Sequence, residues 1–188
     1  MKTNLIGLLL LTLLSCGQPS EKKETAAEKE KQEPKKIDGW KMLDEKTYSI
    51  QYPSDWEENK SGQMGTSFII LAPADSDDDN FRENVNLVKQ DLAGSGHDLD
   101  SYTELSEKQI KEMLGVTSFI ENKRVKSTNG DYHKMVYAGD QGNYHLVFEQ
   151  YCRVVNNQAF VLTFTSEEGQ YKSYQKTGEK ILNSFVLK

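Results

Sequence analysis

The chain has 188 residues, 28% of them charged and 36% hydrophobic, which suits one ordinary domain with its own core plus a tail. Its formal charge is −6 at pH 7, and its Lys and Arg side chains form no basic block. That balance argues against nucleic acid as a partner and against adhesion of the folded part to anionic lipid, both of which need clustered cations.

The first element is an N-terminal apolar run. Lys2 precedes Leu5-Ile6-Gly7-Leu8-Leu9-Leu10-Leu11-Thr12-Leu13-Leu14, and Ser15 and Cys16 follow. A basic start, an apolar core of this length and a small residue before a cut have the form of a secretory signal peptide, residues 1–15. The run falls short of the roughly 20 apolar residues that span a bilayer as a helix. Leu13-Leu14-Ser15-Cys16 resembles the lipobox of bacterial lipoproteins, with Leu14 where a smaller residue is more usual. The resemblance implies acylation of Cys16 with three chains and therefore membrane attachment through an N-terminal lipid, since one chain alone holds only marginally. Gly17 stands where an Asp would signal retention in the inner membrane, so the resemblance implies a cell-envelope location, the outer membrane rather than the inner.

Residues 16–36 carry the lipid site and then five Glu and six Lys with no large apolar side chain. Such a segment cannot offset the entropy of ordering and reads as a flexible tether or a solvated tail. As a tether, twenty residues span about 25 Å on average. With Cys16 modified, Cys152 is the remaining cysteine and no intramolecular disulfide can form.

One domain is expected over residues 37–188. Residues 39–43 and 48–52 alternate around Asp44-Glu45-Lys46 and read as a hairpin. Thr66–Leu71 is a buried strand, and Asn84–Val88 alternates again. A helix follows, with Ser101 and Glu104 at capping-box spacing and Gly115 as its stop. Leu99, Tyr102, Ile110, Met113 and Leu114 share an arc of about 120°, its expected buried face, with Leu105 at the edge. Segments 118–127 and 132–139 flank Asn129-Gly130, and further turns at 140–143 and at Asn156-Asn157 separate strands near 144–155 and 158–165. Three tight turns in succession imply an antiparallel meander. A second helix is expected after Thr165 and Glu168, with Gly178 on its buried face allowing close approach to the sheet. The sum is an α+β domain, a mainly antiparallel sheet of about seven or eight strands with two main helices.

The chain carries no Gly-x-Ser-x-Gly elbow, phosphate-cradling loop or His-Glu-x-x-His helix, and no catalytic residue or cofactor is expected from it. His133 and His145 lie on neighbouring predicted strands, where a two-histidine contact is possible but falls short of a zinc site. Ser95 and His97 share a glycine-rich loop without an orienting third group. Cys152 alternates with apolar neighbours and reads as a buried side chain, with Arg153 on the opposite face. Asp75, Asp77 and Asp79 have the first spacings of a calcium loop, but Asn80 and Asn86 stand where Gly and a bidentate Glu belong. They are weak metal candidates in an acidic loop.

Tyr48-Ser49-Ile50-Gln51-Tyr52-Pro53-Ser54-Asp55-Trp56 is similar to the opening hairpin and YPxxW turn of PsbP-like and DcrB-like proteins. The acidic loop running through Phe81 into Asn84-Val85-Asn86, the helix from Ser101, the Asn129-Gly130 turn, Phe160–Thr165 and the final Ile181-Leu182-Asn183-Ser184-Phe185 follow in that family's order. The resemblance covers residues 38–188 and implies an αβα sandwich in a family whose members bind proteins or assist membrane-complex assembly. The expected function is a non-enzymatic, lipid-anchored envelope module with an envelope protein as partner; the alternative is a lipoprotein that binds a small ligand or a divalent ion.

Overall fold

Alternation and tight turns dictate most of the elements. The computed structural model describes residues 35–116 and 118–188, so the expected signal peptide, Cys16 and nearly all of the expected tether lie outside the described residues. In chain order the strands and helices are β1 (Trp40–Asp44), β2 (Tyr48–Pro53), β3 (Glu57–Asn59), β4 (Thr66–Leu71), β5 (Asn84–Asp91), α1 (Leu99–Leu114), β6 (Glu121–Val125), β7 (Tyr132–Gln141), β8 (Tyr144–Val155), β9 (Gln158–Glu167), α2 (Tyr171–Asn183) and β10 (Val186–Leu187).

The main sheet has seven strands in the order β3-β4-β5-β9-β8-β7-β6, with every neighbouring pair antiparallel. The predicted meander is its right half. Asn156 and Asn157 both adopt positive φ, 52° and 57°, and make the tight link between β8 and β9. At Asn129-Gly130 the loop is longer than a two-residue turn, and only Gly130 takes a positive φ, of 95°. The first hairpin does not join this sheet. β1 and β2 pair with β10 in a separate three-stranded sheet, because the last residues return beside Ser49 and Tyr48.

Two apolar clusters occupy opposite faces of the main sheet. On one face α1 covers Met135, Tyr137, Leu146, Phe148 and Cys152. On the other, α2 and the small sheet enclose Ile50, Phe68, Ile70, Leu87, Leu162 and Phe164. The layers are therefore α1, the seven-stranded sheet, and a third layer in which α2 lies beside the small sheet. The described residues fall in one compact unit. Among them, no helix is long and apolar enough to cross a membrane.

Two helix starts differ from the expected ones. The N-cap of α1 is Asp98, whose carboxylate accepts from the Ser101 backbone N–H at 2.9 Å while the Ser101 hydroxyl accepts from the Asp98 backbone N–H at 3.0 Å. Ser101 is thus the closing N3 residue of a capping box rather than its N-cap. For α2, Thr165 stays within β9, and the helix begins after Gln170 without a side-chain cap. β9 runs on because it is buried on both faces through Ser166, where burial outweighs the local cap signal. Gly115 ends α1 with a φ of 63°, and Gly178 lets α2 reach the sheet: a Cβ there would meet the Phe164 ring at 2.6 Å.

Candidate functional site

The helix α1 lies mainly over β7 and β8: its last residue, Leu114, packs on Gly139 of β7, where an added Cβ would lie 3.2 Å from the Leu114 Cβ, while a gap remains between the helix and strands β5 and β9. Leu99 and Tyr102 at its start are buried, whereas Ile110 and Leu114 are half-buried and Met113 is 82% exposed. Met113 does not belong to the buried face that helical periodicity assigned to it. The strands beneath this end present both apolar residues, Val88, Val161 and Phe148, and polar ones. Strand register sets Asn86, Thr163 and Gln150 side by side across β5, β9 and β8, all on the α1 side. Two of that row, Gln150 and Thr163, line a gap between the helix and the sheet.

That gap is a groove of about 330 Å³, between the second half of α1 and strands β5, β9, β8 and β7. Tyr137 and Phe148, stacked at 5.1 Å, make part of its floor. Gln150 Nε2 donates to Thr163 Oγ1 at 3.3 Å, which leaves the Gln150 carbonyl oxygen and a second amide proton for another partner. At one end the Tyr102 hydroxyl donates to Gln90 Oε1 at 2.7 Å and bridges α1 to β5. Tyr137 is 4% exposed, and burial raises its hydroxyl pKa well above the ordinary value. No residue lining the groove carries a formal charge, although 28% of the chain is charged. The volume lies at the lower end of the range of small-ligand sites, about 300–1,000 Å³.

The other polar constellation is buried on the opposite face. Lys134 Nζ lies 2.9 Å from Glu121, 2.9 Å from Glu149 and 3.2 Å from Glu179, and so ties α2 to β6, β7 and β8. Glu149 is fully buried and also accepts from the hydroxyls of Tyr151, at 3.0 Å, and Tyr171, at 3.2 Å. Burial opposes the charge on Lys134, but its carboxylate partners outweigh that cost and hold its pKa well above the ordinary value. Every member of the group has a partner, so the cluster braces the fold.

The remaining sequence candidates do not assemble into a site. His133 sits opposite Cys152 near one end of the β7–β8 hairpin, and His145 sits opposite Asp140 near the other, so the two histidines do not meet. His145 Nδ1 instead lies 2.5 Å from Asp140 Oδ1 on the surface. The Ser95 hydroxyl donates to the Leu92 carbonyl at 2.8 Å and accepts from the His97 backbone N–H at 3.3 Å, so it makes no pair with the imidazole. Cys152 is fully buried, which pushes its thiol up to about 12 and removes the thiolate that reactivity requires. Arg153, on the other face, donates to the carbonyls of Asn129 and Gly130 at 2.6 and 2.8 Å and fixes that loop.

The acidic loop is exposed. Asp75 Oδ1 accepts from the Tyr174 hydroxyl at 2.7 Å, and Asp79 spends both oxygens on the backbone N–H groups of Asp75 and Phe81. Asp77 is exposed beside them. Among the described residues, no group of three or more His, Cys, Asp or Glu side chains is placed to hold a metal ion. The turn from Pro53 to Trp56 is closed by a backbone bond of 3.1 Å and packs Trp56 edge-on against Tyr174, as aromatic packing around a turn.

No sequence motif announces the groove. Its signal was present in Gln150, which interrupts the apolar alternation between Phe148 and Cys152, and in Thr163 opposite it.

No family model and no curated protein sequence matches the chain. Several solved structures are similar to it in fold. The cyanobacterial PsbP of Synechocystis sp. PCC 6803 superposes with a TM-score of 0.57 at 13% identity, over 81% of this chain and 95% of that one. The fold is PsbP-like. LpqN, involved in cell envelope biogenesis of Mycobacterium tuberculosis, gives a TM-score of 0.56 at 10% identity, over 79% of this chain and 90% of that one. The Saccharomyces cerevisiae Ran-binding protein Mog1p gives 0.52 at 9% identity, over 79% and 95%. At these identities the shared property is the fold.

Proposed function

We propose that this chain is a non-enzymatic lipoprotein, anchored in the cell envelope through acylated Cys16, that offers its α1 face to an envelope protein partner. The observation that carries this reading is where the tether joins the domain. The Gln51 side chain accepts from the Ile37 backbone N–H at 2.8 Å and donates to the Lys35 carbonyl at 3.0 Å. Its backbone N–H donates to the Ser184 hydroxyl, just after α2, at 2.8 Å. The root of the tether is thus fixed in the layer of α2 and the small sheet, across the main sheet from α1. The chain thus enters the domain on the side of the main sheet opposite the groove.

The Ser15-Cys16 motif supports the anchor, and Gly17 favours the outer membrane over the inner one. The envelope role of LpqN and the protein binding named for Mog1p are compatible with this use of the fold. Fractionation of cells producing the wild type or Cys16→Ser tests the anchor, and pull-down of the acylated protein after crosslinking tests the partner. The reading expects membrane-bound wild type, released Cys16→Ser, and one recurrent protein captured with the wild type. Equal release of both forms contradicts the anchor, and capture of no specific protein contradicts the partner.

A further inference from the structure

We propose that the groove under α1 takes a short, extended, uncharged peptide segment, with one aliphatic side chain seated against Met113 and Ile110 and main-chain amides paired to Gln150 and Gln90. This deepens the reading above by naming the chemistry of the partner, and it rests on the α1 face being the presented one.

Three features of the groove select this occupant. The first is charge. Eight of its fourteen lining residues carry neutral hydrogen-bonding groups, four of them glutamines, and six are apolar. A charged ligand group would be desolvated there without a counter-ion, whereas a neutral one meets its own kind. The second is hydrogen-bonding pattern. A carboxamide presents a donor and an acceptor in one plane, the complement of a peptide unit's C=O and N–H. Gln150 has both left over after its bond to Thr163, and Gln90 keeps its amide protons after accepting from Tyr102. Tyr137 lines the same space and is 4% exposed, and its hydroxyl makes no hydrogen bond to another described residue. A phenolic O–H without a protein partner can donate to a ligand carbonyl.

The third feature is shape. Tyr102, Tyr137 and Phe148 are 5%, 4% and 8% exposed, so no aromatic face is open for a sugar ring to stack upon. The floor carries Gln150 and Thr163 in its centre, which disfavours the apolar stripe of an amphipathic helix. The floor is also the face of the sheet and not an edge, so a peptide here cannot add as a strand and must use side-chain amides for its backbone. On the lip, Met113 is 82% exposed, and a flexible thioether adapts to varied aliphatic side chains.

The test uses the full-length protein in detergent micelles, isotope-labelled and titrated with acetylated, amidated tetrapeptides. The neutral probe is Ser-Leu-Gln-Ala; the charged probes replace its Leu by Asp or Lys, and maltose serves as a neutral saccharide. The neutral probe is expected to shift the side-chain amide signals of Gln90 and Gln150 and the Met113 methyl at millimolar concentration. The charged probes are expected to bind at least about tenfold more weakly. Gln150→Leu and Tyr137→Phe are each expected to weaken the neutral probe about three- to tenfold, the loss of one hydrogen bond, with unchanged unfolding midpoints. Silence of all neutral peptides at these signals, equal binding of the charged probes, or a response to maltose alone overturns the proposal. Partner capture by the acylated protein together with silent peptides overturns this inference and leaves the proposed function standing. Peptide binding without any captured partner does the reverse.

Discussion

Glu83 is 2% exposed and accepts from the Ser166 hydroxyl at 3.2 Å and from the Glu167 backbone N–H at 3.3 Å. Burial raises its pKa above the ordinary value, and these bonds offset only part of that rise. The folded state therefore holds this proton over a range where the unfolded chain has released it, and stability falls as pH rises from about 4.5 through the folded pKa. Glu83→Gln keeps a carbonyl acceptor and removes the ionisation. Its unfolding midpoint in urea should exceed that of the wild type by a margin that grows from pH 4.5 to pH 7.5; a margin that shrinks contradicts the assignment. Lys134 is the opposite case, a cation held by three carboxylates. Lys134→Met leaves Glu149 buried without its cation and should cost about 3–5 kcal/mol. Adding Glu149→Gln should restore a large part of that loss in the same denaturation experiment. No recovery would show that Lys134 acts through packing rather than charge.

Gly178 shows what an element's approach distance depends on. A methyl group there would lie 2.6 Å from the fully buried Phe164 ring, which has no free space to yield. Gly178→Ala gains helix propensity, but overpacking should dominate and destabilise by about 1–3 kcal/mol, read as a lowered urea midpoint with an unchanged slope. A neutral or stabilising effect would mean that α2 can shift along the sheet. This contact was legible in the sequence, because Gly178 falls on the periodic apolar face with Ile181 and Leu182. Strand β5 was legible from its alternation, β4 from its β-branched apolar run, and the meander from the turns that divide its strands. The caps were less so: Ser101 and Thr165 have the right spacing, and only tertiary burial decides that one is the closing N3 residue of a cap and the other a strand residue. Met113 was misplaced because periodicity specifies which residues share a helix face, not whether the surface opposite can receive them. The same limit hid the groove, which exists through register among β5, β9 and β8.

For the molecule as a whole, the proposed function joins three parts: an acylated Cys16, a tether that enters the domain at Gln51, and a neutral groove on the far side of the sheet. The pairing of β1–β2 with the last residues is what sets that root, and no local pattern in the sequence announces it. Cys16→Ser should leave the fold of the domain intact, with the same near-ultraviolet dichroism as the wild type after solubilisation. Equal spectra would place the lipid's contribution in location, and a lost near-ultraviolet signal would mean that it supports the fold. The decisive measurement is photo-crosslinking in living cells from a reactive amino acid at position 113 and, as a control, at position 64, where Met64 is 84% exposed on the turn before β4. The account predicts a discrete crosslinked protein from position 113 that is absent from position 64 and lost in the Cys16→Ser background. No adduct from position 113, or the same adduct from both positions, would contradict it.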